Sequence, residues 1–193
     1  MNNIITDNRS KEAVMKILSK YKNLIALPFI VTILAAPIAN AHLMVAQHGT
    51  LNFLDNSVYM VLSLPSSAFG DADEDNDGLL SLTEFSTHRL SLIETVTEHV
   101  SLLSNKTDKL PIDGLMISPV TPHDDPKAPA AQIIVMGRYV LDDADSKLSF
   151  LVNLFGTNDL DQSIEITANR KSSNHKQVFE LTPKLNEVKL NFN

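Results

Sequence analysis

The 193-residue sequence predicts an α+β protein in which an antiparallel, β-sandwich-like domain carries an acidic loop and one long amphipathic helix. Three observations lead to this prediction. Residues 163–192 contain runs that alternate apolar and polar side chains, as strands with one solvated face do. Apolar residues recur at helical spacing between residues 82 and 104. No helical pattern separates the later strands, which argues against a parallel α/β fold.

Strands are predicted on both sides of the acidic loop. Before it, apolar runs at residues 43–47, 50–54 and 58–64 are broken by His48-Gly49 and by a turn at Asp55-Asn56. After it, residues 133–141 have the composition of a central strand, and residues 147–155 are the expected hairpin partner. Further strands are expected at residues 163–169, 177–181 and 187–192. Residues 106–130 contain five prolines and are predicted to be an extended surface connector, with a short strand at residues 115–117.

The acidic stretch at residues 73–84 has the ligand order of a calcium-binding loop. Counted from its first residue, it has carboxylates at positions 1, 3 and 5, glycine at 6, a hydroxyl at 9 and glutamate at 12. Calcium takes six to eight oxygens, and a loop around one ion presents alternate side chains to it. An acidic surface turn is the alternative, but agreement at six fixed offsets favours a Ca²⁺ site. The predicted ligands are Asp73, Asp75, Asp77, the Leu79 backbone carbonyl, Ser81 and Glu84.

These twelve residues and the helix expected after them resemble the EF-hand family of calcium-binding proteins. The resemblance implies an EF-hand insertion over residues 65–104, with a stunted entering helix over residues 66–72 that carries the inner aromatic Phe69 four positions before Asp73. EF-hand loops generally work in pairs joined by a short strand, and this sequence has no second loop. The resemblance therefore implies a single, structural calcium site rather than a calcium-triggered switch with a methionine-rich groove.

The exiting helix is predicted to run from residue 82 to about residue 104, or about six turns. Its apolar face would consist of Leu82, Phe85, Leu92, Ile93, Val96, Val100 and Leu103. One alternative function follows from this helix: a calcium-sensing switch in which loss of the ion releases helix 82–104 from the sheet and exposes its apolar face to a protein partner.

Residues 1–41 have the pattern of a signal peptide. A basic stretch precedes an apolar run of about seventeen residues, and Ala39-Asn40-Ala41 forms a small-x-small cleavage site. Met15 begins a leader of more ordinary length and is a candidate true start. A membrane anchor is the competing interpretation, but the apolar run is short for a span and contains two prolines. We therefore expect residues 42–193 to form a single exported domain, periplasmic or secreted, with no membrane span in the mature chain.

The charge and composition limit the function further. The net charge is −7, and cleavage after Ala41 would make it −10, because the leader carries five basic and two acidic residues. Such a surface repels nucleic acid and favours cations or basic partners. The sequence has no cysteine and no recognisable catalytic motif, so it predicts a binding or interaction module with an unidentified protein partner rather than an enzyme. A hydrolase with paired carboxylates stays an open alternative.

A transition-metal protein is the second alternative. Cleavage after Ala41 would place His42 at the mature N-terminus, where its amine and imidazole could chelate copper together with His48. Met44 nearby is a soft ligand suited to Cu(I).

The order of elements resembles a second family. A leader is followed by His42, by strands that end at Leu62-Ser63-Leu64-Pro65, by a helix and by a run of strands. This order is similar to the extracytoplasmic head of HupE/UreJ-type bacterial membrane proteins, which are linked to nickel-enzyme maturation. Because only the order of elements is shared, the resemblance implies a β-rich extracytoplasmic domain and neither nickel binding nor membrane transport.

Overall fold

The computed structural model describes residues 46–142 and 147–192. The predicted signal peptide, the candidate start at Met15, and the residues His42 and Met44 lie outside the described residues. The described residues form ten strands and two α-helices: β1 (His48–Leu54), β2 (Ser57–Pro65), α1 (Leu82–Thr87), α2 (Arg89–His99), β3 (Val100–Ser104), β4 (Asp108–Lys109), β5 (Asp113–Val120), β6 (Gln132–Val140), β7 (Leu148–Val152), β8 (Ile164–Arg170), β9 (His175–Leu181) and β10 (Glu187–Leu190).

The larger sheet has six strands in the order β5-β6-β2-β1-β8-β9. All neighbours are antiparallel except β1 and β8, which are parallel. The predicted turn at Asp55-Asn56 joins β1 to β2, and Asp55 adopts a left-handed conformation with φ 50°. The predicted alternation in β8 is confirmed, because Ile164, Ile166 and Ala168 are fully buried.

The smaller sheet has four strands in the order β10-β7-β3-β4. The expected hairpin of residues 133–141 with residues 147–155 was wrong. The strand β7 pairs with β3 and β10, whereas β6 pairs with β2 and β5 in the other sheet. The short β7 is buried at four of its five positions, so both of its faces pack inside the molecule.

The two sheets contribute to one hydrophobic core. Tyr139 of β6 is fully buried, and its hydroxyl lies 3.7 Å from the Met60 sulfur. Burial raises the pKa of the Tyr139 hydroxyl, and the neighbouring backbone of Leu102 in β3 partly offsets this effect. The core therefore lies between strands that belong to different sheets, as the predicted β-rich domain requires.

The prediction of one long helix over residues 82–104 was wrong. A bend at His88 (φ −96°, ψ 10°) separates α1 from α2, and α2 ends at His99. The next five residues form β3, which lies between β7 and β4 in the smaller sheet. The apolar residues at 96, 100 and 103 fit helical spacing, but the buried Val100 and Leu102 also fit strand spacing.

The end of α2 is fixed by a side chain from the smaller sheet. The Lys109 ammonium donates to the backbone carbonyls of Thr97 (2.7 Å) and Glu98 (3.1 Å). Carbonyls in the last turn of a helix have no partner within the helix, and a lysine there also interacts favourably with the helix dipole. This contact stabilises the helix end that the periodicity did not predict.

The predicted connector contains more structure than expected. The short strand predicted at residues 115–117 lies inside the longer β5, which is an edge strand of the larger sheet. Pro119 belongs to this strand and pairs in register with Ile133. Proline is tolerated at a sheet edge because its missing N–H can face outward.

None of the helices in the described part of the chain combines the length and the apolar character that crossing a bilayer requires.

Candidate metal centre

Two short 3-10 turns lead from β2 into the acidic loop. They span Ser66–Ala68 and Gly70–Ala72, and Phe69 between them is buried. Inside the loop, Asn76 (φ 60°) and Gly78 (φ 81°) have left-handed backbones. Glycine and asparagine are the residues that adopt this conformation most readily. The sharp turn predicted at the sixth position is therefore present, and a second one precedes it by two residues.

Three of the predicted ligands converge. Oxygen atoms of Asp73, Asp75 and Glu84 all lie within 4.8 Å of one another. Asp73 and Glu84 are buried, whereas Asp75 is exposed. Because these residues stand at positions 1, 3 and 12 of the loop, the fold brings carboxylates separated by up to eleven positions around one point. The group could hold a metal ion.

Backbone N–H groups of the loop point at the carboxylates. Asp73 accepts hydrogen bonds from the N–H groups of Asp77 (3.2 Å) and Gly78 (2.8 Å). The Asp77 carboxylate accepts one from the N–H of Leu79 (2.7 Å). These bonds fix the loop conformation. Since a carboxylate oxygen can accept more than one partner, they leave lone pairs available for a cation.

Glu84 connects both ends of the loop. Its carboxylate accepts hydrogen bonds from the N–H of Glu74 (2.9 Å) and from the N–H of Ser81 (2.8 Å). The Ser81 hydroxyl accepts one in return from the Glu84 N–H (3.2 Å), which forms a capping box at the start of α1. The hydrogen bonds from Ser81, and then the one from Glu74, lower the pKa of Glu84 and keep it ionised.

The surroundings of Asp75 shift its pKa in the opposite direction to that of Glu84. Loss of hydration, the charge of Asp77 and the charge of Glu84 raise the pKa of Asp75. Like charges at close range favour the protonated form of one member of the group. A cation at the centre would remove this repulsion, because it interacts favourably with every carboxylate at once.

The remaining predicted ligands have different surroundings. Asp77 is exposed and lies outside the converging group, and Leu79 is half-buried. The Ser81 hydroxyl is at the N-cap of α1, where it already accepts the Glu84 N–H. The structure therefore brings together three of the four predicted carboxylates. Their donor atoms are all oxygens, the type that hard cations such as Ca²⁺ and Mg²⁺ prefer.

Sequence reasoning missed the partner of Leu80, the eighth residue of the loop. Leu80 is fully buried and forms an isolated antiparallel bridge with Ala130, which is also fully buried. The Leu80 N–H donates to the Ala130 carbonyl (2.9 Å), and the Ala130 N–H donates to the Leu80 carbonyl (2.8 Å). No local pattern could predict this pair, because the two residues are fifty positions apart.

Sequence reasoning also missed a contact beside the loop. The His88 Nε2 atom lies 2.9 Å from the Glu74 carboxylate, so the second residue of the loop faces the bend between α1 and α2. The Glu74 side chain therefore contacts His88 and does not join the converging carboxylates of Asp73, Asp75 and Glu84. Position 2 is not a ligand position in such a loop, so this contact occupies none of the predicted ligands.

The histidine of the proposed copper site is placed at the start of β1. The His48 Nδ1 donates to the Ala46 carbonyl (2.8 Å), and Nε2 lies 3.3 Å from the Glu165 carboxylate. Both ring nitrogens therefore face oxygen atoms of the protein. The other member of that predicted site, His42, lies outside the described residues.

No protein-family model matches this sequence, and no curated protein matches it. The interpretation of the site therefore depends on its own residues and geometry.

Proposed function

We propose that this chain is a calcium-binding protein in which the loop at residues 73–84 holds one Ca²⁺ and stabilises a β-rich interaction module. One observation carries the proposal: carboxylates from the first, third and twelfth positions of the loop converge within 4.8 Å. Asp73, Asp75 and Glu84 are the side-chain ligands that this geometry supports best. Asp77, the Leu79 carbonyl and Ser81 would complete the oxygen shell, the last of them through a water.

Calcium is favoured over other ions by the type and number of donors. The predicted set offers only oxygens, which disfavours the softer transition metals. Four carboxylates in one loop exceed the one or two that usually hold Mg²⁺, which keeps several of its own waters and demands near-ideal octahedral geometry. The flexible coordination of Ca²⁺ by six to eight oxygens suits a loop that encircles its ion.

The ion would act as a structural link. The loop joins the 3-10 turns after β2 to α1, and α2 leads directly into β3 of the smaller sheet. Neutralising the carboxylates would stabilise this connection between the two sheets. We infer that the sheets form a sandwich-like domain with an EF-hand-like insertion, an arrangement supported by the core that they share.

Export is part of the proposal. The leader pattern at residues 1–41 suits a periplasmic or secreted protein, which would meet calcium-rich surroundings. A single loop of this kind outside the cytoplasm would bind with a Kd of about 10⁻⁴–10⁻³ M. N-terminal sequencing of the protein recovered from its native compartment tests the leader, with His42 as the expected first residue.

The decisive experiment is a thermal melt in EDTA, calcium, magnesium and copper in turn. Calcium at one hundred times its Kd should raise the free energy of unfolding by about 2.7 kcal/mol. For a domain of this size, the midpoint should then rise by about 5–10 °C. An unchanged midpoint at calcium one hundred times this Kd, about 10–100 mM, would refute the proposal. A shift with copper that equals the calcium shift would favour the transition-metal alternative.

A further inference from the structure

The bridge between Leu80 and Ala130 connects the acidic loop to the segment between β5 and β6. This segment, residues 121–131, is called the β5–β6 connection below. The bridge has two hydrogen bonds, both shorter than 3 Å, and both residues are fully buried. Backbone groups buried in this way have no access to water, so opening the bridge would leave them unsatisfied.

A second set of contacts ties Ala130 to the larger sheet. The Ser66 hydroxyl donates to the Ala130 carbonyl (2.6 Å), and the Ser66 N–H donates to the Ala131 carbonyl (2.9 Å). Pro65 pairs with Gln132, the first residue of β6. Ala130 therefore lies between the acidic loop on one side and the ends of β2 and β6 on the other.

The middle of the β5–β6 connection is solvent-exposed. Residues 122–127 are all exposed, and the segment is folded by two bonds to Asp125. The Asp125 carboxylate accepts the N–H of Lys127 (3.1 Å), and its carbonyl accepts the N–H of Ala128 (3.0 Å). One end of the connection is fixed where Val120 pairs with Gln132. The bridge to Leu80 holds the other end together with the two bonds from Ser66.

We propose that the β5–β6 connection responds to calcium occupancy: the ion, by ordering the loop at residues 73–84, stabilises the Leu80–Ala130 bridge and with it the exposed connection. This inference rests on the proposed calcium function. It adds that the bound ion would influence an exposed surface segment, the β5–β6 connection.

This route differs from the sensing mechanism expected from the sequence. Release of a helix over residues 82–104 would require β3 to leave the smaller sheet, where it pairs with β7 along all five of its residues. Opening the Leu80–Ala130 bridge breaks two backbone hydrogen bonds and leaves every named strand paired. Local openings of few contacts are the ones that a bound ligand shifts most readily.

Amide hydrogen exchange of the full-length chain, followed by NMR with calcium and with EDTA, tests the inference. The diagnostic amides are Ala130, which donates across the bridge, and Ala128, which donates within the connection. If the bridge opens only when the loop is empty, calcium at one hundred times its Kd would slow exchange at both by up to about a hundredfold. We expect at least about a fivefold slowing.

The chain contains an internal control of the same bridge type. Thr182 and Leu185 form another isolated antiparallel bridge, with two backbone hydrogen bonds of 3.0 Å, outside the acidic loop, and Leu185 is 56% exposed. Exchange at Leu185 should change less than about twofold on calcium addition, because this bridge closes a local turn that opens without the loop. Slowing of Leu185 by the same factor as Ala130 would indicate general stabilisation and would overturn the inference.

A pair of variants separates the bridge from calcium binding. Ala130→Pro removes the N–H that donates to Leu80, and we expect it to abolish the calcium effect on Ala128 exchange. Ala131→Pro places the same substitution at the exposed neighbour and should retain the effect. The wild-type measurement decides the question if Ala130→Pro does not fold.

Calorimetry on the same samples distinguishes the two possible failures. Calcium binding heat without any slowing at Ala130 and Ala128 would overturn the inference and leave the proposed function intact. The absence of binding heat would refute the proposed function itself, and the inference with it.

Discussion

Two acidic loops of this protein differ in what surrounds their carboxylates. In the loop at residues 73–84, three carboxylates face one another within 4.8 Å. In the loop at residues 156–162, the Asp161 carboxylate accepts hydrogen bonds from the side chains of Gln47 (2.6 Å), Ser67 (3.1 Å) and Asn158 (3.2 Å). Both loops supply neutral hydrogen-bond donors to their carboxylates, but the first loop also brings three carboxylates together at one point.

The difference indicates which loop is the better candidate for a cation site. A carboxylate that accepts three hydrogen bonds from neutral side chains is stabilised by the chain itself. Converging carboxylates repel one another. Loss of hydration is the largest cause that raises the pKa of Asp75, and the charges of Asp77 and Glu84 add to it. Acidic composition alone therefore does not define a candidate metal site, whereas the convergence of several carboxylates does. The comparison predicts that variants of the two loops will differ in whether calcium changes their effect.

The largest effect is expected for Glu84→Ala. This change removes both oxygens of the closing ligand and also the two hydrogen bonds that Glu84 accepts from the loop backbone. Calcium affinity should fall at least about a hundredfold, since a bidentate glutamate at this position closes the coordination shell. Isothermal titration calorimetry measures this directly.

Glu84→Gln is the matched control for the lost hydrogen bonds. The amide keeps one oxygen acceptor and the approximate shape, and it loses the charge. If both variants bind calcium as tightly as the wild type does, Glu84 is not a ligand and the proposed site is wrong.

A smaller effect, independent of calcium, is expected for Asp161→Ala. The change leaves the Gln47 amide and the Ser67 hydroxyl without their acceptor. Unsatisfied donors of this kind should cost about 2 kcal/mol of unfolding free energy. The melting midpoint should fall by about 4–8 °C, equally in EDTA and in calcium.

Asp159→Ala changes the exposed aspartate of the same turn and should have little effect on stability. A loss of stability in Asp161→Ala that calcium rescues would show that the two loops do not differ in the way described.

Asp75→Asn should have effects of opposite sign with and without the ion. Because the folded pKa of Asp75 is raised above its ordinary value of 3.8, its stabilising contribution is present below that value and is lost as the pH rises through the folded pKa. Removing the charge should therefore raise the melting midpoint slightly in EDTA at pH 7. Calcium affinity should fall by about tenfold, because the site loses one charged ligand.

The contribution of Glu84 to folding stability depends on pH in the opposite direction from that of Asp75. Its folded pKa is lowered below the ordinary 4.5, so its contribution is present above that value and is lost as the pH falls through the folded pKa. Melts in EDTA from pH 3 to pH 7 on the wild type and Asp75→Asn separate the two groups. An Asp75→Asn midpoint below that of the wild type in EDTA at pH 7 would contradict the assigned repulsion.

Much of the fold was predictable because its signals are local. Composition and alternation placed β2, β6, β8 and β9 within one or two residues of their observed bounds. The pairing of β7 was not predictable in this way, since adjacency in sequence favours a hairpin with β6 and only the shared core decides otherwise. The end of α2 was also ambiguous, because Val96, Val100 and Leu103 fit one helical face and two of them lie in β3.

The candidate site was likewise predictable only in the features that depend on neighbouring residues in the sequence. The positions of the carboxylates and of Gly78 were predictable because all of them lie within one short loop with fixed offsets. Which carboxylates converge was not, since Asp77 instead accepts the Leu79 N–H. The contact of Leu80 with Ala130 depends on the whole topology, so no spacing within the loop could indicate it.

The smallest effect on calcium binding is expected for Glu74→Gln, which tests how far the acidic cluster extends. Glu74 lies next to a predicted ligand and carries the same charge as the others, but its carboxylate faces His88 at 2.9 Å. Glu74 should therefore affect calcium binding only through its charge, which salt partly screens. We expect the calcium Kd of Glu74→Gln to differ less than about threefold from that of the wild type at 0.15 M salt. Calorimetry at low and at physiological salt measures both the size and the screening. A loss comparable to that of Glu84→Ala would mean that charge alone, rather than converging geometry, holds the ion, and the distinction between the two acidic loops would then have to be abandoned.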